Sequence, residues 1–135
     1  MSCGDQWRLW TKIIRMSTKG LRGATTLEED SREEIIVKTK ELLGAMIERN
    51  GLDKDDFVTL IFTATSDVHG AFPAAAAREM GFGDVPLICA QELEIVDSTP
   101  LCIRILALID TDKARSELRH IYLHGAKGLR DDLPS

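Results

Sequence analysis

A chain of 135 residues, 44% hydrophobic and 29% charged, has the size and make-up of one globular domain with a modest core. A net charge of −5 and an aromatic share of only 5% argue against a nucleic-acid partner, which would be met by a basic surface and base-stacking rings. Three cysteines without framework spacing point to a reducing compartment, and neither a membrane-spanning apolar run nor a signal-peptide pattern is present, so a cytoplasmic protein that binds no membrane is expected.

Residues 1–17 carry both tryptophans, Trp7 and Trp10, ahead of a second methionine, Met16, and read as a flexible N-terminal extension before a domain spanning 18–135. An amphipathic surface helix through Trp7, Trp10, Ile13 and Ile14 is the other reading. A short strand follows over about 19–25, where the small residues after Arg22 allow close approach of a backbone or ligand. Ile35, Ile36, Leu42, Leu43, Met46 and Ile47 then recur at helical spacing. Asp30 and Ser31 suit the start of a helix over 30–49, with Glu33 or Glu34 completing the cap, and Gly51 suits its end.

Residues 57–65 form a β-rich run, predicted as a central strand, and a loop over 66–72 leads to Pro73, which suits the first turn of a short helix over 74–80. Two apolar strands are predicted next, over 85–95 and 101–109, joined through Asp97-Ser-Thr-Pro100 as a hairpin. A helical stretch over 113–117, a strand near 119–123 and one turn in the tail complete the order. The fold class expected is α+β, a mixed sheet with helices packed on one face, whose bare face would meet a partner subunit.

Arg104 lies inside the apolar run Leu101–Ile109, and Glu92 lies in the strand before it. Charged side chains are rarely buried unless paired, so Arg104 requires an anion, either Glu92 in a structural ion pair or a ligand. The chain has no glycine-rich phosphate loop, no Cys-x-x-Cys and no His-Glu-x-x-His, and His69, His120 and His124 are not spaced as ligands, so neither metal nor cofactor is expected. Cys89, in an apolar strand without a nearby histidine, reads as a core thiol rather than a nucleophile. The remaining candidates are Arg22, Arg78, Arg104 and Arg130 with Glu92 and Tyr122, a set suited to a small carboxylate-bearing anion. Surface placement of Arg78 and Arg130 and a core ring for Tyr122 are the ordinary alternatives.

Arg22-Gly-Ala-Thr-Thr26, Thr63-Ala-Thr-Ser-Asp67, Phe72-Pro-Ala74, Cys89-Ala-Gln-Glu92, Cys102-Ile-Arg104 and Arg119-His-Ile-Tyr-Leu123, in this order, closely resemble the monofunctional trimeric chorismate mutases of bacteria over about 18–133, and not the all-helical class. The resemblance implies a homotrimer whose sheets form a pseudo-α/β-barrel, with active sites between subunits. It implies the conversion of chorismate to prephenate, in phenylalanine and tyrosine biosynthesis, without metal or cofactor. Arg22, Arg104, Tyr122, Leu129 and Arg130 would line one wall; Phe72, Ala74, Arg78, Ile88, Cys89 and Glu92 would line the other. Ala75 stands where many relatives have lysine, removing one peripheral positive charge. A non-catalytic trimeric metabolite-binding module, or an imine deaminase on a similar scaffold, is the alternative.

Overall fold

The computed structural model describes residues 16–129 together with Gln6. Its centre is a five-stranded sheet in the order β3-β2-β4-β1-β5, formed by β1 (Ser17–Thr26), β2 (Phe57–Ala64), β3 (Leu87–Gln91), β4 (Cys102–Thr111) and β5 (Ile121–Tyr122). β4 runs antiparallel to β1 and β2 on either side, whereas β3 joins β2 and β5 joins β1 in parallel, so the sheet is mixed.

Alternation along the strands sorts the side chains. Leu21, Leu60, Phe62, Ile105, Ala107 and Ile109 are buried on one face, packed in one cluster with Leu42, Leu43 and Met46 of helix α1 (Arg32–Asn50) and with Ala74 and Ala77 of helix α2 (Ala74–Glu79). α1 starts because Ser31 accepts a hydrogen bond from Glu34 N, and it ends at Gly51, whose φ of 60° no β-carbon opposes. Glu34 in turn accepts from Glu28 N at 2.6 Å and Glu29 N at 3.1 Å, tying the helix to the chain that leaves β1. Pro73 caps α2, where its missing N–H costs nothing. α1 comes so close to β1 that a Cβ on Gly23 would lie 2.5 Å from Met46 Sδ.

The opposite face is open. Leu106 is 38% and Ile88 59% exposed there, and the chain between β3 and β4 exposes Leu93, Ile95 and Val96. No helix among the described residues is long and apolar enough to cross a membrane.

The strands of the predicted hairpin do not pair with each other. β2 separates β3 from β4, because β2, α2 and β3 form a crossover unit that lays β3 parallel to β2. β3 also ends at Gln91, short of the predicted 95, and residues 92–100 form an irregular connection. The stretch predicted as helical near 113–117 is a 3₁₀ turn, Arg115–Glu117, and another, His124–Ala126, begins the tail. Apart from Gln6, Met16 and Ser17, the predicted N-terminal extension lies outside the described residues.

Candidate active site

The register of the open face brings four of the predicted residues together. Ala24 of β1 pairs with both Arg104 of β4 and Tyr122 of β5, and Thr63 of β2 lies opposite Arg104 from the other side. Period-two alternation then points Arg22, Ala24, Thr63, Arg104 and Tyr122 to the same side of the sheet. With Glu92, which follows β3 immediately, these residues line a hollow of about 320 Å³, whose floor also includes Ile61 and Leu106.

Arg104 is neither deeply buried nor without a partner. Glu92 Oε2 lies 3.4 Å from its Nε, and the arginine side chain stays 44% exposed against 26% for the glutamate. The same carboxylate oxygen accepts from Thr63 Oγ1 at 2.5 Å, which fixes the glutamate in place. The ion pair read from sequence is therefore present within the chain, but at a length and exposure that leave the planar fork available to a further anion. Tyr122 Oη is shielded from solvent and has no hydrogen-bond partner among the described residues. Arg22 is exposed, with its backbone N–H held by His120 Nδ1 at 3.0 Å. Beside Arg104 on the same side of β4, Cys102 is fully buried, and burial pushes its thiol up from the ordinary value, against the pull of neighbouring Arg104.

Phe72, Ala74, Arg78, Ile88 and Cys89 come together elsewhere, lining a hollow of about 350 Å³ between α2 and the edge strand β3. Cys89 packs on the core and still reaches this hollow, so it is both the core thiol expected and a lining residue. Glu92, placed by the resemblance on this second wall, lies instead with Arg104. Ala75 lines a further hollow, of about 570 Å³, which shares Phe72 and Cys89 with the second wall. The hollows of Arg104 and of Arg78 share no lining residue within one chain and adjoin only where Ile61 of the first pairs with Ile88 of the second. Ile88, Ile61, Leu106 and Arg22 stand in one row across the sheet, which separates Ile88 from Arg22 by three strand spacings, about 14 Å.

Leu129 is half-buried in the turn that follows His124–Ala126 and lines none of these hollows; Arg130 lies outside the described residues. Thr63, Ile61 and Leu106 were not read as site residues from sequence. For Thr63 a signal existed, since alternation from the buried Phe62 turns it to the open face, but only the register shows that it faces Arg104. No three His, Cys, Asp or Glu side chains among the described residues are grouped to hold a metal ion.

The family model for chorismate mutase type I matches residues 18–133. The chain is similar to chorismate mutase AroH of Bacillus subtilis (strain 168), at 43% identity over 119 residues, 87% of this chain and 94% of the relative. Chorismate mutase AroH of Thermus thermophilus is 47% identical over 118 residues, 87% of this chain and 97% of the relative. The solved structure of a chorismate mutase from Clostridium thermocellum superposes with a TM-score of 0.80 at 43% identity, covering 81% of this chain and 97% of that one. Matched by the family model from the first sheet strand into the tail, and by these relatives over most of its length, the chain belongs to the type I chorismate mutase family.

Proposed function

We propose that the protein converts chorismate to prephenate, in phenylalanine and tyrosine biosynthesis in the cytoplasm, as a homotrimer with its active sites between neighbouring copies. The observation that carries this reading is Arg104, held by Glu92 on an open floor beside Arg22 and the unpartnered Tyr122 hydroxyl. The trimer is supported by the uncovered sheet face and by the separation of the two lining groups on one chain, which a neighbour's Phe72, Arg78 and Cys89 would close. Cytoplasmic placement is supported by the free thiols of Cys89 and Cys102.

The reaction is a concerted unimolecular rearrangement in which the ether C–O bond breaks ahead of full C–C bond formation, so negative charge grows on the ether oxygen. A guanidinium fixed against that oxygen stabilises the transition state more than the ground state, which raises the rate of the chemical step. Arg104 has this role, oriented by Glu92 and Thr63. Arg22 and Tyr122 grip a carboxylate, and Glu92 also accepts from the ring hydroxyl. From the neighbouring copy Phe72, Ala74, Ile88 and Cys89 shape the wall and Arg78 adds positive charge, while Leu129 and Arg130 of the tail close the site. An acceleration of about 10⁶ requires roughly 8 kcal/mol. One preorganised donor supplies about 3–4 kcal/mol, and enclosure of the compact reactive conformer supplies the rest. Proton transfer and a covalent intermediate have no part in it.

The family assignment favours neither the non-catalytic metabolite-binding module nor the imine deaminase. The test is loss of chorismate absorbance with purified protein, where an inactive wild type would overturn the reading. Arg104→Ala should lower turnover by at least about a hundredfold with the assembly unchanged in sedimentation, and wild-type turnover in that variant would remove Arg104 from its role. Arg104→Lys should recover little, because lysine lacks the planar fork.

A further inference from the structure

Arg32 stands first in α1, directly before Glu33 and Glu34. The positive end of a helix favours acids and disfavours a cation there, so helix energetics do not account for an arginine at this position. Its exposed side chain has no hydrogen-bond or ion-pair partner among the described residues. Instead it lines the hollow of about 570 Å³ together with His69, Phe72, Ala75, Cys89 and Gln91, and no carboxylate side chain lines that hollow.

This hollow borders the second wall of the active site. Phe72 and Cys89 line it and also line the hollow of Arg78 and Ile88, so the 71% exposed Phe72 borders both the hollow of Arg32 and that of Arg78. The placement of Arg32 is fixed by the backbone around it. Asp30 accepts from His69 N and Gly70 N at 2.9 Å, and Gly70 lies so close to the helix start that a Cβ there would be 2.9 Å from Arg32 N. The beginning of α1 is thus tied to the loop over 66–72 at His69 and Gly70.

We propose that Arg32 is the capture residue at the mouth of the active site, where its guanidinium takes a carboxylate of the incoming dianion and delivers it past Phe72. This rests on the function proposed above. A chain with a net charge of −5 repels a dianion at long range, so entry depends on a local cation that reverses the field at the mouth. Ala75, on the same hollow, offers no charge, and Arg32 supplies the cation for that rim.

Steady-state kinetics on the full-length protein with chorismate, over a range of ionic strength, tests the proposal. Arg32→Ala should raise KM about two- to fivefold at low salt with kcat near the wild-type value, and should flatten the salt dependence of kcat/KM. Arg32→Lys should retain most of the effect, and Ala75→Lys placed in the Arg32→Ala background should restore it. Arg32→Glu separates capture from folding: its melting temperature should hold or rise, because an acid suits the first turn, while KM rises further. An Arg32→Ala variant with wild-type KM and salt dependence overturns the inference alone. A wild type that does not turn over chorismate overturns the underlying function and this inference with it.

Discussion

Asp67 shows how a single side chain secures the start of a site strand. It accepts from Thr65 Oγ1 at 2.5 Å and from Leu101 N at 2.9 Å, and Leu101 enters β4 with a φ of 48° that an isolated leucine avoids. Burial pushes the Asp67 carboxyl up, but these hydrogen bonds outweigh it and its pKa lies below the ordinary 3.8. A native value below the unfolded one stabilises the fold fully above about 3.8, and the contribution is lost as pH falls through the native value. Asp67→Asn should therefore melt lower than wild type at neutral pH, with the gap closing under acid; thermal unfolding followed by circular dichroism from neutral pH down to pH 2 checks this. At the same scale, Arg104 was legible in sequence because a cation interrupts an apolar run, and Glu92 because an acid follows a similar one. The unpaired Tyr122 hydroxyl and the Thr63 contact were not, since each depends on which strand lies alongside, and neighbouring strands here come from distant parts of the chain.

The packing of α1 on β1 is set by Gly23, whose missing side chain admits Met46 and Leu42. Gly23→Val should push the helix outward and cost about 1–3 kcal/mol, read as a lower urea midpoint. Because Gly23 sits between Arg22 and Ala24, the same variant should also lose turnover. Both helices were legible from periodicity and caps, and their ends agree with Ser31, Gly51 and Pro73 acting as the sequence suggests. The hairpin was misread because two apolar runs next to each other in sequence look like partners, whereas pairing was decided by the helix between β2 and β3. A strand–helix–strand order implies parallel pairing, and Pro86 just before β3 suits an edge strand, so the signal lay in the pattern across three elements and not in either run.

For the whole molecule, the sheet divides the work between its edges. Arg22, Arg104 and Tyr122 serve one hollow, while Phe72, Arg78 and Cys89 serve another beyond the opposite edge, and only a second copy brings such groups together in the proposed ring. Arg104→Ala and Arg78→Ala impair different walls, so unfolding and refolding the two variants together should restore activity that neither has alone. In a random equal mixture, each ring holding both variants regains one intact site, about a quarter of all sites, and recovery absent from mixed rings would show that each chain builds its own site. The division also has a cost for the assembly. A copy defective on both sides disables the pocket it floors and the pocket it roofs, so a minority of damaged molecules silences sound neighbours well beyond its own number.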